Sequence, residues 1–223
     1  MGYWGLFIIV MLAGVVIQST LQGKFAKYSK VSLKYGYTGA DIARKMMQDN
    51  GITDVKVECI EGTLTDHYNP STKTVNLSKK VYYGSSVAAA AVAAHECGHV
   101  VQHAVGYAPL KLRSALVPVV SFANNTVQWI LLLGMLMIKT FPTLLWIGIA
   151  LFAMTTLFSF VTLPVEINAS ARAVKWLDNA GITDYETRRM AIDALKWAAY
   201  TYVIAAISSL ATLLYYIGIA RRD

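Results

Sequence analysis

Four apolar runs limit what this chain can fold into. They occupy residues 4–20, 116–138, 144–163 and 198–220, and each is long enough to cross a hydrocarbon layer of about 30 Å as a helix. They account for an unusual composition: 56% of the 223 residues are hydrophobic and only 15% are charged, against about 25% charged in a soluble domain. The third run is the clearest, being uncharged and rich in Leu, Ile, Phe and Ala. The second carries Pro118, Asn124, Asn125 and Gln128, which in a spanning helix should face other helices or a cavity. The fourth contains Ser208, Ser209 and Gly218, small residues suited to close helix packing. The first run has no basic n-region, and Gln18-Ser19-Thr20 is not a small-x-small cleavage site. An uncleaved anchor is therefore a better reading than a signal peptide. The expected fold is a mainly α membrane protein with about four transmembrane helices.

The remaining sequence divides around those runs. An anchor over 1–21 leads into the main extramembrane domain, 22–115. A transmembrane hairpin over 116–163 is followed by a helical segment, 164–197, and by a last transmembrane helix with a short tail, 198–223. Lys24, Lys27, Lys30 and Lys34 follow the anchor, either among lipid headgroups or in a plain solvated connector. Thr38-Gly39-Ala40-Asp41 precedes Ile42, Ala43, Met46 and Met47 at helical spacing, and Asn50-Gly51 ends that helix. Residues 55–60 alternate as a strand does. Asn69-Pro70-Ser71-Thr72 is a turn signal, which predicts a hairpin of 64–68 with 74–78. Gly84-Ser85-Ser86 caps a long helix over 87–105, closed by Gly106 and Pro109. Seven of the nine residues 88–96 are Ala or Val, so neighbours can approach that helix closely and it should be central and buried. Pro164 can open a new helix running to about Asn179 and stopping at Gly181. The segments Asp49-Asn50-Gly51-Ile52-Thr53-Asp54 and Asp178-Asn179-Ala180-Gly181-Ile182-Thr183-Asp184 look alike. They read as two similar helix ends, because nothing around them repeats.

The long helix carries His95-Glu96-Cys97-Gly98-His99. Two histidines four apart project from one helix face, about 6 Å apart along the axis. Both imidazoles can reach one zinc ion, with Glu96 beside it to handle a proton. Such a site activates water for attack on a peptide carbonyl; Glu96 takes the proton and passes it to the leaving amine. An edge strand such as 74–78 would hold the substrate in extended form. Cys59 and Cys97 do not make a disulfide framework. Cys97 reads as a small buried residue, and a reducing compartment for this segment fits.

A catalytic zinc usually takes a third protein ligand and leaves one position for water. His103 is excluded, since it lies about 12 Å from His95 along a straight helix. His67 stands on the expected hairpin, as a ligand, a transition-state donor or an ordinary turn residue. Glu166 is the best candidate. Of the five glutamates it alone has an apolar setting, Leu163-Pro164-Val165-Glu166-Ile167, where a carboxylate is costly unless paired or bound to a metal. Its other reading is an acid at a helix N-terminus. The chain crosses the membrane twice between His99 and Glu166 by this count, which returns it to the same side, as a shared zinc requires. Asn168 and Ser170 are near enough to orient Glu166 or a histidine. Arg172 either pairs with Glu166, binds substrate or lies on a solvated face.

With these residues in place, the chain resembles the YugP-like family of membrane zinc metallopeptidases. The matching segments are Leu64-Thr65-Asp66-His67-Tyr68, Ala94-His95-Glu96-Cys97-Gly98-His99, Gly106-Tyr107-Ala108-Pro109-Leu110 and Leu163-Pro164-Val165-Glu166. The resemblance spans nearly the whole chain. It implies a small α+β zincin-like extramembrane domain, Zn2+ as cofactor, His95 and His99 as ligands and Glu96 as catalytic acid/base. Glu166 as third ligand follows the related gluzincin membrane peptidases. Those often place an acid four positions later, where this chain has Ser170.

The expected activity is endopeptidase cleavage of membrane or juxtamembrane protein substrates. Two rivals are a non-enzymatic scaffold or assembly factor with a zinc site and an intramembrane protease. Lys24, Lys27, Lys30, Lys34, Lys111, Arg113, Arg172, Lys175, Arg188, Arg189 and Lys196 fall on the zinc side, against Lys139, Arg221 and Arg222 on the other. That bias predicts a multi-pass protein of the cell membrane with its site on the cytoplasmic face. The net charge of +7 suits anionic lipid, and nothing suggests nucleic-acid binding.

Overall fold

Helix order follows the apolar runs but overruns them. The structure, a computed structural model, describes residues 3–221. Met1, Gly2, Arg222 and Asp223 lie outside the described residues, and with them the end of the Arg221-Arg222 tail counted above. The elements are α1 (Tyr3–Tyr28), α2 (Gly39–Asp49), β1 (Lys56–Ile60), β2 (His67–Asn69), β3 (Thr74–Ser78), α3 (Lys79–Tyr82), α4 (Val87–Ala104), α5 (Ala108–Leu136), α6 (Pro142–Asn179) and α7 (Tyr185–Ala220). Four of them, α1, α5, α6 and α7, are long and apolar enough to cross a membrane. The fold is therefore a mainly α membrane protein with one small sheet.

Two expectations change at the ends of the spans. No new helix opens at Pro164. The residue sits inside α6, which runs unbroken for 38 residues. Proline removes one backbone donor, a loss that neighbouring helices and local adjustment make tolerable in an apolar helix. The lysine-bearing stretch after the anchor also starts as helix, because α1 continues to Tyr28. There Lys24 is held by Asp193 at 2.7 Å, and the Tyr28 hydroxyl donates to the same carboxylate.

The chain packs as two compact units. One takes residues up to 16, 111–164 and from 201 onward. Its buried centre is Val127, Leu131, Leu145 and Ile149. Gly134 lets α5 and α6 touch: a Cβ there would lie 2.7 Å from the backbone of Leu145. Thr156 and Ser209 join α6 to α7 through their hydroxyls at 2.7 Å. Large side chains such as Phe122, Trp129 and Leu136 point outward, as lipid requires and water would penalise.

The other unit takes residues 17–110 and 165–200. Its core joins Ile42 and Met46 of α2, Val75 and Leu77 of β3, the alanines of α4, and Ala173, Leu177 and Ala194 of α6 and α7. The small residues make α4 central, with 15 of its 18 residues buried. Ser86 caps it by accepting from the Ala89 N–H, and Gly106 closes it at φ 65°; Pro109 belongs to the first turn of α5. Thr38 and Asp41 form a reciprocal capping box on α2. The two look-alike segments end their helices in the same way. Gly51 and Gly181 adopt φ 69° and 65°, and the N–H groups of Ile52 and Ile182 reach back to Met47 O and Leu177 O, a Schellman closure.

The sheet order is β1-β3-β2, with β3 parallel to β1 and antiparallel to β2. The expected hairpin exists, but its first strand is His67–Asn69 rather than 64–68. Leu64 has φ 60° and cannot be extended. The expectation that 74–78 is an edge strand is overturned. β3 is the central strand and all five of its residues are buried, because β1 pairs on its far side. The edge beside α4 is β2.

Candidate metal centre

Gly98 decides how the site is assembled. A Cβ on it would lie 2.5 Å from Ala169 O, so α4 and α6 meet there backbone against backbone. The residues flanking each contact point then face each other. On α4 these are His95 and His99, whose rings sit 4.9 Å apart; on α6 they are Glu166 and Ser170, also one turn apart. Glu166 Oε2 lies 3.2 Å from His95 Nε2 and 3.4 Å from His99 Nε2. The three ligand atoms all fall within 4.8 Å of one another, and no other such cluster occurs among the described residues. Glu166 is 3% exposed and His99 8%.

The rings are oriented from behind. Gln102, fully buried, donates from Nε2 to Val165 O at 2.8 Å and to Asn168 Oδ1 at 3.0 Å. The Val165 carbonyl can only accept, so the amide orientation is set and Oε1 faces His99 Nδ1 at 3.0 Å. His99 must therefore donate from Nδ1 and present the Nε2 lone pair to the cluster. Ser170 Oγ stands 3.1 Å from His95 Nδ1 and holds that ring in place, though a hydroxyl, able to donate or accept, does not choose its tautomer. Asn168 thus acts on a histidine only through Gln102. Arg172 donates to Asn168 at 2.8 Å and stacks over Tyr107; it is not on Glu166 in these contacts. Burial works against a charged His99, but the hydrogen bond and charge of Glu166 outweigh it and hold its pKa above the ordinary histidine value. A metal would therefore compete with a proton for Nε2.

Glu96 is buried and accepts from the backbone N–H of Tyr68 at 3.1 Å. That N–H belongs to the edge strand β2 and points at α4. The other two histidines are elsewhere. His103 Nδ1 meets the Tyr68 hydroxyl at 3.3 Å. His67 donates to Thr65 O at 2.8 Å and accepts from Asn76 at 3.2 Å. Cys97 is buried against Ala43 O, and burial pushes its thiol pKa up. Both cysteines are free.

Over residues 3–221 the sequence matches the family described as "Putative neutral zinc metallopeptidase". The chain belongs to that family. It is also 42% identical over 218 residues to a protein of Bacillus subtilis (strain 168) described as "Putative membrane protease YugP", with 96% of each chain covered. No solved structure matches it.

Zinc is the cofactor of such a family, and the cluster fits it. Tetrahedral ligands at 2.0–2.1 Å from a zinc ion stand about 3.3–3.4 Å from each other. The two histidine–carboxylate separations, 3.2 and 3.4 Å, match that spacing. Two imidazoles and a carboxylate are also a usual donor set for zinc. Sequence reasoning passed over Gln102 and the Gly98–Ala169 contact. A signal for Gln102 existed, since an amide three residues after His99 shares its helix face. Nothing local marked the contact, because it joins positions 71 residues apart in the chain.

Proposed function

We propose that this protein is a membrane-bound zinc endopeptidase that cleaves membrane or juxtamembrane protein segments. His95, His99 and Glu166 hold the metal, and Glu96 is the catalytic acid/base. The observation that carries this reading is the convergence of three ligand atoms, with Glu166 Oε2 3.2 and 3.4 Å from the two histidine nitrogens, next to a buried carboxylate that is not one of them. When bound, zinc supplies a Lewis acid and a water of lowered pKa. Glu96, positioned by the Tyr68 N–H, would serve as the base that takes a proton from the attacking water and returns it to the leaving amine. The outer edge of β2 takes the extended substrate backbone, the role first expected of β3.

The position of Glu166 supports a membrane-proximal substrate. It follows the apolar run ending at residue 163 along the same unbroken helix, within about 4.5 Å of rise. The excess of lysine and arginine on the zinc side supports a cytoplasmic face. A purely structural zinc would be closed by four protein ligands, and the cluster has three. An intramembrane protease would need α4 to span, and α4 is not among the four helices long and apolar enough to do so.

The test uses the full chain in lipid nanodiscs. Glu96→Gln should keep one zinc per molecule and lose about 10²–10⁴-fold in peptidase turnover. Retained turnover in that variant would falsify the catalytic role. Equal cleavage of a membrane-anchored substrate and its soluble fragment would count against the substrate class.

A further inference from the structure

The face of α4 that carries Glu96 continues toward the helix N-terminus as bare small residues. Ala88, Ala89 and Val92 line a half-open cavity of about 290 Å³ there, bounded on other sides by Phe25 and Ala26 of α1 and by Leu64. That volume approaches the lower bound of ordinary ligand pockets, about 300 Å³. Gln22, Thr63 and Lys80 also line the cavity, on exposed positions, while Asp66, Ser78 and Ser86 are engaged with one another or with the backbone. Both oxygens of Asp66 accept from Ser78, at 2.7 Å from N and 3.1 Å from Oγ, and Ser86 caps α4. The floor an occupant would meet, Phe25, Ala88, Ala89 and Val92, is apolar.

Two distances tie this cavity to the proposed catalytic centre. Val92 precedes Glu96 by four residues, about 6 Å along α4. Asp66, also in the lining, precedes Tyr68 by two residues, about 6.6 Å of extended chain, and it is Tyr68 whose N–H meets Glu96. A peptide laid along β2 therefore passes the cavity within about two residues of the bond at Glu96. Leu64 adds an independent sign. It is a leucine in the left-handed region, φ 60°, with 52% of its surface exposed at the rim. Such conformations concentrate at functional sites.

We infer that this cavity is the specificity pocket of the enzyme and takes one bulky apolar side chain of the substrate, from a residue within about two positions of the scissile bond. The inference rests on the peptidase reading above and narrows it to substrates with Leu-like or Phe-like residues beside the cut.

The experiment uses internally quenched decapeptides that differ at one position at a time, carrying Ala, Leu, Phe or Asp, and the zinc-loaded full chain in nanodiscs. At one position near the cut, Leu or Phe should exceed Ala at least about 10-fold in kcat/KM, and Asp should be the poorest. Ala26→Trp, which fills the cavity from α1, should reduce that Leu:Ala ratio at least about 10-fold while preferences at other positions hold. Zinc content and thermal melting check its folding. Leu64→Gly, which removes the rim without opposing the backbone, should reduce the same ratio and serves if Ala26→Trp is unstable.

An unchanged ratio in a folded variant overturns the pocket while leaving the peptidase reading intact. If no peptide is cleaved, the same peptides are titrated by fluorescence anisotropy onto the Glu96→Gln protein. A 10-fold tighter Kd for Leu that Ala26→Trp abolishes supports the pocket although the peptidase reading fails; equal Kd values overturn it. A co-purifying lipid displaced by Ala26→Trp with the ratio unchanged also overturns it, as the cavity would then hold an acyl chain.

Discussion

Gly98 and Gly134 do the same mechanical job in different solvents. Each lets two helices touch backbone to backbone, with an added Cβ 2.5 Å from Ala169 O in one case and 2.7 Å from Leu145 in the other. Around Gly98 the buried residues include four polar ones, Glu96, His99, Gln102 and Glu166. Each has a partner within hydrogen-bond reach, as burial of such groups demands. Around Gly134 the neighbours are Leu131 and Leu145 inside and Leu133 and Leu136 outside, with no chemistry to position. Close approach builds a reactive constellation only where the sequence has supplied functional groups on both contacting faces. Elsewhere it assembles spans.

The largest effect should come from removing a functional group at the first contact. Glu166→Ala should abolish stoichiometric zinc binding. The loss should exceed the roughly 100-fold expected for a residue behind a ligand, as read by metal analysis after dialysis. Full zinc retention would remove Glu166 from the ligand set.

Next come the glycines themselves. Gly98→Ala and Gly134→Ala should each cost about 1–3 kcal/mol through overpacking. Only Gly98→Ala should lower zinc content per folded molecule. If both variants lose zinc equally, the contrast between the two contacts is wrong.

A smaller effect is expected from Gln102→Leu, which keeps the volume but frees the His99 tautomer. Zinc affinity should fall about 10–100-fold, with Ser170→Ala weaker because a hydroxyl, able to donate or accept, fixes the His95 tautomer less than the Gln102 carbonyl fixes that of His99. An unchanged affinity in a chelator competition would show that Gln102 only packs.

The smallest change lies away from both contacts. Thr38→Ala should cost about 1 kcal/mol by removing the cap of α2, with zinc binding intact. Asp41 shows the matching pH dependence. The Thr38 hydrogen bonds hold its carboxyl below the ordinary value, ahead of any help from Arg44. Its contribution is present above the unfolded pKa and disappears as pH falls through the lower folded one. Asp41→Asn should therefore melt below the wild type at neutral pH and converge with it in acid; a constant gap would mean the carboxylate charge is irrelevant.

Much of this was legible without coordinates. The two histidines and Glu96 follow from helical spacing. Ser86, Gly51 and Gly181 mark helix ends because capping needs one particular oxygen or one left-handed residue. Glu166 stood out as a carboxylate in apolar company. The failures share a cause. Pro164 predicts a helix start because its local preference is for a first turn, yet packing of the surrounding apolar helix carries α6 through it. The 74–78 strand looks like an edge from sequence because a hairpin says nothing about what pairs on its other side, and β1 does.

The sequence by itself determined the apolar spans, the histidine–glutamate helix and the caps, because these depend on periodicity and hydrogen bonds within a few residues. Only the tertiary structure decided that Gly98 meets Ala169, that Gln102 orients His99 from α4 while bound to α6, and that β2 presents its N–H to Glu96. Those contacts join residues 28 to 71 positions apart. They are selected by how whole surfaces fit, a choice made by close packing and the satisfaction of buried polar groups.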